Sequence, residues 1–275
     1  MKTSSAYRAF RYGLVIVLGL AMSIPLLYMV SGSLMSAGEL ASYPPTAVPQ
    51  TPIWENYADA WNYLTPQVIG NTFIVSIGIV VLQLALALPA AFALAKIPFR
   101  WTGVVLAVLV VPMFVPSNLG LVPLFIVNFQ LGWLNSFVGL IVPMAAQSAF
   151  AILLFRQFFA TLPAGLIEAA RIDGAGWLRV LWSIALPLAR PILATFCSVS
   201  FLTAWNMYVW PQIVAPNPAQ RVMNVALAPL AGGENSMISP AVGLAGAVIA
   251  TIPVLIVFIV FQKWYVRGVV GTGLE

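Results

Sequence analysis

Long, almost uninterrupted apolar runs constrain this chain more than any other feature. A helical span needs about 20 consecutive apolar residues, and suitable runs occur at 13–35, 68–95, 103–125, 136–155, 191–214 and 241–261. Hydrocarbon supplies no hydrogen-bond partners, so the backbone of each run must pair within itself, which predicts helices. Composition agrees: 61% of residues are hydrophobic and 7% charged, against roughly 25% charged in a soluble chain. The fold class expected is an all-α integral membrane protein with six transmembrane helices. Six spans and their connecting loops leave no room for a second soluble domain in 275 residues, so residues 1–275 read as a single transmembrane domain.

Charge gives the orientation. Lys2, Arg8, Arg11, Lys96, Arg100, Arg156, Arg171, Arg179, Arg190, Lys263 and Arg267 fall on one side of this layout, leaving Arg221 alone on the other. Basic residues concentrate on the cytoplasmic side, so both termini are expected inside. The run after Arg11 is longer than the apolar core of a secretory signal and ends without a clear small-x-small cleavage site, so it reads as an uncleaved first span. The loop from Ser36 to Gln67, with Glu39, Glu55 and Asp59 but no Lys or Arg, reads as external, as does the one containing Gly232-Gly233-Glu234-Asn235. The net charge of +5 follows this topology and forms no patch, so it does not point to nucleic acid. Pro112, Pro116 and Pro123, with Ser117-Asn118 between two of them, predict a kinked third span facing protein or water.

The chain has no His, a single Cys197 and no G-x-x-x-x-G-K-[ST] sequence. No catalytic residue, metal site or phosphate cradle is therefore expected, and any driving energy must come from a partner. A secondary, ion-coupled transporter is the alternative, but it would normally bury ionisable groups near the bilayer midplane. None of the 12 basic and 7 acidic residues falls well inside a predicted span. A membrane enzyme would need a cluster of acids, His or Cys at depth, and none is present in the sequence.

The polar stretch between the fourth and fifth runs, 160–188, is punctuated as two short helices. Pro163 suits a helix start and Gly174 a left-handed stop, giving a helix from Ala164 to Asp173. After it, Trp177, Leu181, Ile184 and Leu188 form an apolar stripe at helical period. The stretch Glu168-Ala169-Ala170, three residues, Gly174, nine residues, Ile184, one residue, Leu186-Pro187 resembles the EAA loop of ABC importer permeases at every fixed position. The Pro44-Pro45 loop, Phe155-Arg156-Gln157-Phe158-Phe159, Ala204-Trp205-Asn206 and the Gln262-Lys263 ending resemble sugar-type importers of the maltose and glycerol-3-phosphate kind.

That resemblance implies a permease of the bacterial inner membrane, with the loop cytoplasmic between helices 4 and 5. It implies four kinds of surroundings: a second homologous permease, ABC-type ATPase subunits, an extracytoplasmic solute-binding protein and the lipid bilayer. ATP and Mg would be bound by the ATPase partner and no cofactor by this chain. The solute would be a carbohydrate or a carbohydrate-like compound. Glu168, Ala169, Ala170, Arg171, Asp173 and Gly174 would couple to the ATPase, with the small alanines allowing close backbone approach and Glu168 and Arg171 pairing across the interface. Thr203, Asn206 and Trp210 lie at i, i+3 and i+7 of a continuous fifth span, sharing one face. They are the expected solute-path residues, joined by Gln147, Ser148 and Asn118.

Overall fold

The computed structural model describes residues 5–231 and 238–270, without the side chains at 5–9, 117, 231 and 263–270. Lys2, the Gly232 to Asn235 stretch and the side chains of Arg8, Lys263 and Arg267 thus lie outside the described residues. All regular structure among the described residues is helical. The elements are α1 (Ser5–Gly32), α2 (Ala37–Leu40), α3 (Glu55–Tyr63), α4 (Pro66–Lys96), α5 (Thr102–Val110), α6 (Leu121–Gln130), α7 (Phe137–Ala146) and α8 (Ala149–Thr161). They continue with α9 (Ala164–Ile172), α10 (Trp177–Val180), α11 (Leu186–Leu188), α12 (Arg190–Trp205), α13 (Val209–Val214), α14 (Met223–Leu227) and α15 (Pro240–Val270). Three stretches, Phe10–Gly32, Pro66–Lys96 and Pro240–Gln262, are long and apolar enough to cross a bilayer alone; counting three bent helix pairs as one span each raises the number to six.

The chain divides into two compact units, 1–65 with 226–253, and 66–225 with 254–275. In the first, Ser36 and Glu39 close a capping box on α2: the Ser36 hydroxyl accepts from Glu39 N–H (3.2 Å) and the Glu39 carboxylate accepts from Ser36 N–H (2.8 Å). The other Glu39 oxygen accepts from Gln50 N–H (2.8 Å), folding the intervening segment back. The Ser36 and Gln50 amides hold the Glu39 carboxyl below its ordinary pKa. Asn56 on α3 donates to the carbonyls of Ser33 (2.9 Å) and Met35 (3.0 Å), which fixes the end of α1 against α3.

In the second unit α4 is the axis, packed along its length by α7, α8 and α12. Ala87 and Ala91 on its buried face and Ala151 of α8 belong to one core, small residues that let helices approach closely. Around them Phe92, Phe155, Phe159 and Phe196 pack edge to face, at 5.6 Å for Phe92 with Phe159 and 5.2 Å for Phe155 with Phe196. Lipid is as apolar as these rings, so close packing holds the cluster rather than exclusion from water, each such ring pair adding about 0.5–1.5 kcal/mol.

The prolines shape the rest. Pro112 and Pro116 fall between α5 and α6, where two 3-10 turns replace α-helix and the chain bends by 93°. This segment runs to Gln130, beyond the end of the 103–125 run. Pro211 has a similar effect on the expected fifth span. It has no N–H to offer the carbonyl four residues back, Met207, and the helix breaks at 206–208 between α12 and α13. A continuous span over 191–214 is therefore not what forms.

Candidate functional site

The Glu168–Gly174 loop has a defined start and stop. Pro163 caps α9, and Gly174 sits at φ +81°, where only glycine is unstrained. Gly174 N–H donates to Arg171 O (3.1 Å) and Ala175 N–H to Ala170 O (2.9 Å), the paired bonds of a Schellman motif. Arg171 is engaged inside the loop: its guanidinium donates to Ala175 O (3.1 Å) and lies 4.5 Å from the Trp177 ring centre. These contacts brace the loop from within, and both Arg171 and Glu168 remain exposed. Ile167 is buried and Ala170 packs on the aromatic core, while Glu168, Ala169 and Asp173 are exposed. The two alanines thus have different surroundings. Lys96, the last residue of α4, donates from Nζ to the carbonyl of Leu162 (2.7 Å), the residue just before Pro163. A cation on a carbonyl at the end of α8 is favourable for the helix dipole and ties the loop's entry to α4.

The second half of the loop departs from the expected stripe. Residues Leu181–Ala185 form a π-helical turn, in which Leu186 N–H reaches back five residues to Leu181 O. The wide turn precedes Pro187, which has no N–H to continue an α-helical ladder. One extra residue in the turn rotates the downstream residues about the helix axis, so Leu186 and Ala189 are buried and Leu188 is 47% exposed. Trp177, Leu181 and Ile184 keep to the core. Ala189 then marks a bend of 82° into α12.

A cavity of about 240 Å³ lies among α4, α7, α8 and α12. Its polar lining is Gln83, Gln147, Ser200 and Thr203, in an otherwise apolar wall. A larger one of about 770 Å³ shares Met144, Gln147 and Met207 with it and is also lined by Asn118, Tyr208 and Trp210. Three interruptions in the helices border this larger cavity: Val115 with Pro116, Gln147, and Met207 with Tyr208. Non-helical backbone at membrane depth is tolerated where it meets protein or lines a cavity, which fits the convergence of the three breaks here.

Of the six expected path residues, Gln147 and Thr203 line the smaller cavity, and Asn118, Gln147 and Trp210 the larger. Trp210 is otherwise buried, and its indole N–H donates to Gly139 O (3.2 Å). Asn206 and Ser148 line neither. The Asn206 amide donates to Leu202 O (2.9 Å) one turn back, and Ser148 is 5% exposed. Because α12 ends at Trp205, Asn206 and Trp210 do not share a helical face with Thr203. Sequence reasoning missed Gln83 and Ser200, whose Oγ donates to Gln83 Oε1 (2.5 Å). The signal was available: Gln83 is the only polar residue between Ser76 and Lys96.

Bent apolar helices around cavities without charged lining, with a capped polar loop between two of them, fit a membrane permease. The chain belongs to the family described as binding-protein-dependent transport system inner membrane component, whose model matches residues 83–271. It is 31% identical over 268 residues to the sn-glycerol-3-phosphate transport system permease protein UgpE of Rhizobium meliloti (strain 1021), covering 94% of this chain and 95% of that one. It is 30% identical over 274 residues to the protein of the same name from Yersinia pestis bv. Antiqua (strain Antiqua), with the same coverage. Its fold matches a crystal structure of a bacterial ABC transporter involved in the import of the acidic polysaccharide alginate. The TM-score is 0.82 at 29% identity, over 96% of this chain and 99% of that one. The protein is accordingly a permease subunit of an ABC importer in the bacterial inner membrane, and the ion-coupled alternative falls away.

Proposed function

We propose that residues 1–275 form one permease domain with six spans and both termini in the cytoplasm, in which α9 is the lever that a separate ATPase subunit moves. The observation that carries this is the division of α9: Ile167 and Ala170 face the chain's own core, while Glu168, Ala169 and Asp173 are presented outward from a loop closed at Gly174. Such a helix transmits force because it cannot slide on its base, and an element with two discrete positions can be biased by both ATP and solute. ATP and Mg belong to the partner subunit. A second, homologous permease completes the pathway, and a solute-binding protein delivers cargo from outside. The solute path of this chain runs through the two cavities, past Asn118, Gln147, Thr203 and Trp210.

The solute is a carbohydrate or a carbohydrate-like compound, in keeping with the glycerol-3-phosphate and alginate named for its relatives. Uptake of radiolabelled candidates into proteoliposomes holding the whole complex tests the reading. Uptake should require ATP together with the ATPase subunit and the binding protein; uptake that persists after the ATPase subunit is removed contradicts it.

A further inference from the structure

The smaller cavity carries information on which solutes this chain accepts. In α4, Gln83 lies 17 residues from Pro66 and 13 from Lys96, so at 1.5 Å per residue it is about 20 Å from the basic end and within the hydrocarbon depth. Ser200 on α12 donates to Gln83 Oε1 and so fixes which way the amide points. Gln83 lines the cavity, and its Nε2 makes no hydrogen bond within the described chain and is not among its buried unpaired atoms, so its donors are left for another partner. Gln147 contributes a second amide, and the Thr203 hydroxyl donates back to Val199 O (2.9 Å). The lining therefore consists of neutral amide and hydroxyl groups among Met144, Met207, Phe150, Phe196 and aliphatic side chains.

An anion brought to this depth would lose its hydration without a countercharge, which is costly; a hydroxyl loses little and gains a partner. We propose that Gln83, positioned by Ser200, hydrogen-bonds an uncharged, hydroxyl-bearing solute, so that this half of the path favours neutral carbohydrates over phosphate esters and acidic sugars. The inference rests on the importer reading but goes further, since the UgpE proteins are named for an anionic phosphate ester and the structural relative for an acidic polysaccharide.

The test uses the assembled complex with Thr203→Cys in a Cys197→Ser background. Rates of modification by neutral 2-hydroxyethyl and anionic 2-sulfonatoethyl methanethiosulfonate are measured and normalised to each reagent's rate with free cysteine. The neutral reagent should react at least about tenfold faster, the preference that about 1.4 kcal/mol confers. Adding Gln83→Lys should raise the anionic rate selectively. Equal normalised rates, or no modification by either reagent, overturn the proposal. Wild-type uptake in the same vesicles separates the two readings: ATP-dependent uptake of any carbohydrate keeps the importer reading whatever the reagent ratio. In the uptake arm, Gln83→Leu should reduce entry of a neutral glycoside about fivefold, as the loss of a hydrogen bond worth about 1 kcal/mol implies, with the complex assembled in normal amount.

Discussion

Gly174 sits at φ +81° with open space where a Cβ would go, so a side chain there is opposed by its own backbone and not by a neighbour. The left-handed region costs an ordinary L-residue roughly 1–2 kcal/mol, is tolerated best by Asn, and is worst for β-branched side chains. A cost of that size lowers the population of the closed loop about 5- to 30-fold. Coupled uptake should therefore fall in the order Gly, Asn, Ala, Val. Gly176, at φ −69° and equally uncrowded, should accept Ala without effect. Uptake in proteoliposomes, with ATPase co-purification as a second readout, gives the series. If Gly174→Asn is as damaged as Gly174→Val, or if Gly176→Ala is as damaged as either, then side-chain bulk at an interface controls the loop and the conformational argument fails.

Ala170→Leu should overpack the aromatic core at about 1–3 kcal/mol and lower the thermal stability of the isolated chain in detergent; Ala169→Leu should leave that stability unchanged and weaken only recovery of the ATPase. Lys96→Met removes the bond to Leu162 O, a charge-assisted contact worth about 1.5–3 kcal/mol, and should lower coupled uptake while Lys96→Arg restores part of it. In the other unit, the depressed pKa of Glu39 means that its contribution is complete above its ordinary value of 4.5 and is lost as pH falls through the lower folded value. Hydrogen exchange at Ser36 and Gln50, corrected for intrinsic rate, should quicken in Glu39→Gln at pH 7, and in wild type only when the pH drops below that value.

The coupling loop was legible because its signals are local. Proline at a helix start and glycine at a left-handed stop act through their own backbones, and the structure has both at Pro163 and Gly174. The second half of the loop was not, because a stripe of Trp177, Leu181, Ile184 and Leu188 presumes 3.6 residues per turn, and the π turn before Pro187 breaks that count. The same presumption put Asn206 on one helical face with Thr203 and Trp210. Pro211 lies five residues after it and interrupts the helix that the i, i+3, i+7 spacing needed. Gln83 was overlooked for another reason: a single amide in a long apolar helix has no periodicity, and only its neighbours across the cavity give it a role.

Cross-linking from α9 tests the central claim most directly. With Ala169→Cys in the Cys197→Ser chain, the assembled complex is treated with a short thiol-reactive photocrosslinker, with and without ATP. The exposed position of Ala169 predicts a covalent product with the ATPase subunit whose yield changes with nucleotide, and loss of uptake once it forms. Formation of the product from Tyr43→Cys, 95% exposed in the other unit, with none from Ala169→Cys, would contradict the assignment of α9 as the lever.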